Sequence, residues 1–187
     1  MDISKLGEFG LISHLTKDIK PQNPSTIVGI GDDCAVLHNG DMETLVTTDM
    51  LMEGVHFDLT YMDMKHLGYK SAMVNISDIF AMNGTPKQML VSIALSKRFV
   101  VEDLEDFYAG LHMACDKWNV DIIGGDTTSS LTGLAISITC IGEEKKRILS
   151  TATELKKRIS YAFLVTSVPH TWDCNCLKEK KVSITNS

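Results

Sequence analysis

The stretch "MKHLGYKSAMVNISDIFAMNGTPKQMLVSIAL", Met64 to Leu95, decides the fold. Met64 to Met82 contains no proline and closes in Asn83-Gly84, with Pro86 just beyond. That pattern predicts a helix over 64–82 with a mechanical stop, since Asn or Gly caps a last turn and proline cannot extend it. Met89 to Leu95 then reads as a strand. Upstream, Thr26 to Ile30 and Cys34 to Leu37 look like strand pieces flanking Asp32 and Asp33, and Thr44 to Asp49 is another strand. Leu6, Phe9, Leu11, Ile12 and Leu15 recur at near-helical spacing, which predicts an amphipathic opening helix within Ile3 to Ile19. Downstream, Val101-Glu-Asp-Leu-Glu-Asp opens a helix with four acids near its positive end. Leu104, Phe107, Leu111 and Ala114 share one face of it, and it ends near Asn119. Val120 to Ile123 is a short strand running into Gly124-Gly-Asp-Thr127, and Leu134 to Ile141 is another. The alternation predicts an α/β or α+β layer fold with a mixed sheet.

A chain of 187 residues with 44% hydrophobic content can bury one good core and part of a second unit. No apolar run approaches the roughly 18 residues of a membrane span. The N-terminus is acidic and amphipathic rather than basic then apolar, so a cytoplasmic location is the expectation. With 24 Asp plus Glu against 18 Lys plus Arg, the net charge is −6, which argues against a broad nucleic-acid footprint. The five cysteines (34, 115, 140, 174, 176) lack metal-finger spacing and fit small buried hydrophobes better than disulfides.

Four polar clusters share one grammar: Gly29-Ile-Gly-Asp-Asp33, Thr47-Thr-Asp49, Asn75-Ile-Ser-Asp78 and Gly124-Gly-Asp-Thr127. A single Asp after Gly is commonly a turn residue. Four such clusters, set at strand ends or on a helix face without adjacent Lys or Arg, point instead to a site of hard oxygen donors. Such donors suit Mg²⁺, which keeps much of its water and is completed by substrate phosphates. Asn75 and Asp78 lie three apart and share a face of a helix that is otherwise largely apolar (Met73, Val74, Ile76, Ile79, Phe80). A buried polar pair there needs a partner, and a metal or its hydration shell would serve. No GxxxxGK[ST] occurs, and Gly29-Ile-Gly31 lacks the third glycine of a dinucleotide fingerprint, so a nucleotide site would rest on metal. His56, in Glu53-Gly-Val-His-Phe57, is the one histidine in a motif-like setting; a structural role and a ligand contact are both open for it.

Taken together, "GIGDDCAVL" (29–37), "TTDMLMEGVHF" (47–57), "GYKSAMVNISDIFAMNGTPKQMLVSIALS" (68–96), "FYAGLHMAC" (107–115) and "DIIGGDTTSS" (121–130) resemble one known domain. It is the N-terminal, ATP-binding domain of the thiamine-monophosphate kinases. The wider superfamily includes aminoimidazole ribonucleotide synthetase, selenophosphate synthetase and a hydrogenase maturation protein. The resemblance implies a mixed sheet with helices packed on one face and a sheet edge closing a β-barrel in a homodimer. It implies transfer of the γ-phosphoryl of ATP onto thiamine monophosphate, giving thiamine diphosphate, with several Mg²⁺ ions bridging the phosphates. Asp33, Thr47, Thr48, Asp49, Asp78 and Asp126 match the metal-ligand positions. Asp33, Tyr108, Gly125 and Asp126 match ATP-contacting positions, and His56 matches one that faces the thiamine substrate. No protein base is implied, because the acceptor phosphate is already anionic. Asp32 is left to fix the turn.

The resemblance covers about Gly7 to Gly142, and the chain divides into an ATP- and Mg²⁺-binding domain over 1–147 and a tail over 148–187 that does not resemble the family. The family's second domain is expected to be missing. When the last base of each codon is joined to the first two of the next, Trp172-Asp173 must spell glycine. Asp173-Cys174 and Asn175-Cys176 must spell leucine, and Cys174-Asn175 glutamine or a stop. Permissive codons upstream give "IVYRNGAKE" and "LICVSGDLGAAYMGLQL", strings like the family's continuation. The expectation is a frameshift between about Lys146 and Ile148, an out-of-frame tail whose cysteines carry no evolved chemistry, weak Mg²⁺-dependent ATP binding, and little or no turnover. The alternatives are another ATP-using enzyme of the superfamily and a non-catalytic dimerisation module.

Overall fold

A computed structural model describes residues 7–145; residues 1–6 and the whole tail, with Cys174 and Cys176, lie outside the described residues. The elements run α1 (Gly7–Thr16), β1 (Thr26–Val28), β2 (Ala35–Asn39), β3 (Met42–Met52), α2 (Met64–Ala81), β4 (Thr85–Leu95), α3 (Val101–Trp118), β5 (Asp121–Ser129) and β6 (Ala135–Lys145). The strands form one six-stranded mixed sheet in the order β1-β2-β3-β6-β4-β5. Only β4 and β5 are parallel, because α3 carries the chain back between them, as a parallel crossover requires.

The helix read from the sequence stops where its cap predicts. The Asp63 side chain accepts from the His66 amide at 2.7 Å to start α2. At the other end Asn83 takes φ 61°, and the Gly84 amide returns to the Ile79 carbonyl at 2.9 Å. β4 begins earlier than the expected Met89, at Thr85, and includes Pro86. The proline is tolerated there because pairing with β5 starts only at Gln88, and the register with β6 shifts between Pro86 and Gln88.

α2 lies on β3, β6 and β4, and α3 lies on α2, so both long helices cover one face of the sheet. Leu45, Ile76, Ile79, Met82, Met89, Ile136 and Ile138 fill the interface, and Phe107 and Leu111 extend it to α3. The helices approach closely enough that a Cβ on Gly110 would lie 1.8 Å from the Lys65 carbonyl oxygen, and one on Gly68 would lie 1.9 Å from that of Phe107. The sheet's other face carries Thr48, Met50 and Met52 of β3, all exposed. The opening helix forms, but its expected apolar stripe is not buried: Phe9, Ile12 and Leu15 are exposed and α1 buries no residue. Among the described residues no helix is long and apolar enough to cross a membrane.

Two acids are buried opposite each other at the far end of the sheet. Glu43 and Glu144 pair across β3 and β6 at 4% and 7% exposure, and among the described residues Glu43 Oε2 has no hydrogen-bond partner. Burial pushes the Glu144 carboxyl above the ordinary glutamate range, against smaller opposing pulls from the Lys145 amide and Asn83. A raised folded-state value means a contribution that is fully present below the unfolded glutamate pKa and lost as pH rises through the folded one. Glu144→Gln is therefore expected to raise the melting temperature at neutral pH and to leave it unchanged below about pH 4. Thermal melts across pH check this; an equal gain at all pH values would exclude the ionisation as its source.

Candidate metal and nucleotide site

Cys34, the first buried residue after the two aspartates, anchors the Asp32-Asp33 segment: its thiol donates to the Asp78 carbonyl oxygen at 3.4 Å. Burial, then the charges of Asp78 and Asp33, push that thiol up to about 12. The Asp33 amide donates to Asp32 Oδ1 at 2.9 Å, which gives Asp32 the turn-fixing part and leaves the Asp33 carboxylate exposed. Cys115 and Cys140 are also buried and free, with thiols raised by burial to about 11 and about 12, as small core residues.

Thr47-Thr-Asp49 lies in mid-strand, not at a strand end, and the two-residue period of β3 splits it between the sheet's faces. Thr47 and Asp49 turn toward α2. The Thr47 hydroxyl donates to Asp78 Oδ2 at 2.9 Å, and the Asp49 amide donates to Asn75 Oδ1 at 3.1 Å. The Thr48 side chain faces the other way, donating to the Ile138 carbonyl at 3.1 Å and accepting from the Thr139 hydroxyl at 3.1 Å. Only its main chain remains with the Asp49–Asp78 group.

Asn75 corrects an expectation. It needs no metal or hydration shell, because Asp49 supplies a donor and its own Nδ2 donates to the Ser71 carbonyl at 3.1 Å. Its partner is backbone from another element.

Burial raises the Asp49 carboxyl above the ordinary aspartate range, and nearby His56 opposes the shift. Among the described residues no Lys or Arg pairs with Asp49. A half-buried carboxylate in that condition fits a cation. No three His, Cys, Asp or Glu side chains among the described residues converge into a closed cage.

His56 sits on a turn tied down from three sides. Its Nδ1 accepts from the Met52 amide at 2.9 Å, which leaves the ring proton on Nε2, and its carbonyl accepts from Lys70 Nζ at 2.8 Å. Glu53 pairs with Arg98, and its Oε2 accepts from the Leu134 amide at 2.9 Å. The side chains of Lys70 and Arg98 carry no local signal in the sequence; their partners lie 14 and 45 positions away.

Gly125 and Asp126 lie within β5, which extends well past the expected Ile123 because its pairing with β4 continues to Ser129. Gly125, at φ +152°, must be glycine: an added Cβ would lie 1.7 Å from the Val91 carbonyl oxygen. Asp49, Ile138, Val91 and Gly125 fall on one row across β3, β6, β4 and β5. Three inter-strand spacings, about 14 Å, separate its ends. Asp126, opposite Ser92, shares the face that carries Thr48 rather than the helix-covered face. Within one chain the fold therefore joins Thr47 to Asp78 and the Asp49 main chain to Asn75, sets His56 near Asp49, and leaves Asp126 apart. Tyr108 lies on α3 with its ring edge-on to Phe107, centroids 5.7 Å apart.

A cavity of about 440 Å³ beside the His56 turn is walled by Asp58, Asp63, Asp103, Thr60, Met62 and Phe99 among others. Among the described residues its one cation, Arg98, is paired with Glu53, so its charge disfavours phosphate.

The chain matches the model of the family described as AIR synthase related protein, N-terminal domain, over residues 31–143. It belongs to that family. Among curated proteins it is 38% identical over 142 residues to thiamine-monophosphate kinase of Bacillus subtilis, covering 75% of this chain and 43% of that one. It is 36% identical over 146 residues to the thiamine-monophosphate kinase of Aquifex aeolicus, covering 78% and 45%. The solved structure of AaThiL complexed with AMPPCP and TMP superimposes with a TM-score of 0.69 at 36% identity, over 78% of this chain and 44% of that one. The chain thus spans less than half the length of the relatives it matches.

Proposed function

We propose that this chain is the ATP- and Mg²⁺-binding part of a thiamine-phosphate kinase, which moves the γ-phosphoryl of ATP onto thiamine monophosphate. The single observation that carries the reading is Asp49: a half-buried carboxylate, raised by burial, unpaired with Lys or Arg among the described residues, two residues along β3 from Thr47, whose hydroxyl donates to Asp78. The similarity to thiamine-monophosphate kinases supplies the substrate class. In this reading Asp33, Thr47, Asp49 and Asp78, with the Thr48 main chain, hold Mg²⁺, and Asp126, on the opposite sheet face, holds a separate Mg²⁺. Asp33, Tyr108, Gly125 and Asp126 contact ATP, and His56 donates from Nε2 to the thiamine substrate. Bound Mg²⁺ would supply charge neutralisation for the triphosphate. The chain's own residues orient the two phosphates in line: an acceptor phosphate oxygen bonds to Pγ as the bond from Pγ to the bridging oxygen breaks, and ADP leaves. The acceptor oxygen is already anionic, so no side chain takes a proton.

The protein works in the cytoplasm as a homodimer, its sheets facing through the surface that carries Thr48, Met50, Met52 and Asp126. Residues 148–187 are an out-of-frame translation, supported by the forced Gly-Leu-Gln-Leu of Trp172 to Cys176 and the family-like strings upstream of it. The encoding DNA, read from codon 140 past the stop, should continue in another frame into a second domain. A protein expressed from the repaired frame should convert thiamine monophosphate and ATP to thiamine diphosphate and ADP, and run as a dimer in light scattering. Binding of ATP without conversion or binding of thiamine monophosphate would instead favour another ATP-using enzyme of the same superfamily.

A further inference from the structure

We propose that Asn75 is a positioning residue for Asp49, standing in for a strand that the sheet lacks at this point. β6 pairs with β3 along its whole length, Met42 to Met52, whereas β2 pairs with it only from Met42 to Val46. Beyond Val46 the outer edge of β3 has no strand neighbour among the described residues, and amides on that edge need another acceptor. The Asp49 amide finds Asn75 Oδ1 at 3.1 Å. Asn75 is fully buried, at 0% exposure, and its Nδ2 is spent on the Ser71 carbonyl. The side-chain amide therefore has one orientation: reversed, it would set its NH₂ against the Asp49 N–H and its oxygen against the Ser71 carbonyl. One turn on, Thr47 Oγ1 donates to Asp78 Oδ2 at 2.9 Å. Two rungs, 47 to 78 and 49 to 75, thus lock β3 to α2 and fix the Asp49 main chain relative to the Asp78 carboxylate. The inference rests on the reading that the Asp49 and Asp78 carboxylates hold Mg²⁺, and it adds that the geometry of the pair depends on a residue that touches neither metal nor ATP.

The test compares the Mg²⁺ concentration for half-maximal ATP binding in the unaltered chain, Asn75→Ala and Ser71→Ala. Ser71 is equally buried on the same helix and donates to the Leu67 carbonyl at 2.7 Å, but its side chain does not reach Asp49. Asn75→Ala is expected to raise the Mg²⁺ requirement by about 10- to 100-fold, the usual effect of losing a ligand's support. Ser71→Ala should leave it unchanged whatever it does to the melting temperature. An unchanged requirement in Asn75→Ala, or an equal shift in Ser71→Ala, would overturn the proposal. If Asn75→Ala does not fold, amide hydrogen exchange in the metal-free unaltered chain decides. Protection of the Asp49 amide comparable to the β3–β6 ladder supports the brace, and exchange at the rate of an open loop overturns it. Should the unaltered chain fail to bind ATP with Mg²⁺, the functional reading falls, while the exchange measurement still judges the brace.

Discussion

Gly110→Ala is expected to unfold this domain or leave it barely stable. Gly110 sits where α3 crosses α2, and a Cβ there would lie 1.8 Å from the Lys65 carbonyl oxygen, 2.7 Å from its carbon and 3.0 Å from the Tyr69 amide nitrogen. All three atoms are helix backbone, so no side chain can turn aside. The reciprocal contact, Gly68 against the Phe107 carbonyl oxygen, closes the other side of the crossing. Accommodating one methyl means separating the two helices and loosening Phe107 and Leu111 from the core. The cost should reach about 3 kcal/mol or more, at the upper end of overpacking effects. Against a total stability on the order of 5–15 kcal/mol, that is a large fraction. A chemical or thermal melt checks it; a loss below about 1 kcal/mol would show that the helices are not held at this distance.

Asp49→Asn should do the opposite to stability while removing function. Burial raises the Asp49 carboxyl, so in the metal-free chain its ionisation opposes folding. The sign follows from linkage: the contribution is fully present below the unfolded aspartate pKa and lost as pH rises through the raised folded value. A neutral amide of the same shape escapes that loss. The variant is expected to melt slightly higher than the unaltered chain at pH 7 without metal, and at the same temperature once the pH is below both pKa values. Its Mg²⁺-dependent affinity for ATP should fall by about 100-fold or more, beyond the range for residues that only support a ligand. A gain in stability joined to a loss of binding marks a residue kept for a ligand rather than for the fold. Melts and ATP titrations on one preparation check both halves.

Local chemistry made much of the fold readable. The helix over 64–82 and its stop at Asn83-Gly84 follow from residues adjacent in sequence, and α2 runs from Met64 to Ala81 with Met82 as its cap. The second long helix, opened by acids at Glu102 and Asp103 and ended at Asn119, follows in the same way. The parts that were not readable depend on partners far along the chain. Asn75 looked like a polar residue in need of a metal because nothing nearby shows that β2 stops short and leaves the Asp49 amide free to meet it. Thr48 and Asp126 shared the grammar of the other clusters, yet strand parity and the register shift between Met89 and Leu90 set both on the face opposite Asp49. β5 looked short because glycines at 124 and 125 read as a turn, whereas close approach to Val91 makes glycine a requirement of the strand. The apolar stripe of α1 follows the helical period, but period alone does not say what covers it.

If, as proposed, this chain binds ATP through Mg²⁺ held at Asp49 and Asp78, the heat of ATP binding depends on the metal. Isothermal titration of ATP into the purified 187-residue protein, with Mg²⁺ and again with excess EDTA, tests it most directly. Heat of binding is expected with Mg²⁺, none with EDTA, and none for Asp49→Asn under either condition. Equal heat with and without Mg²⁺, or no heat in the presence of Mg²⁺ from a folded chain, would contradict it.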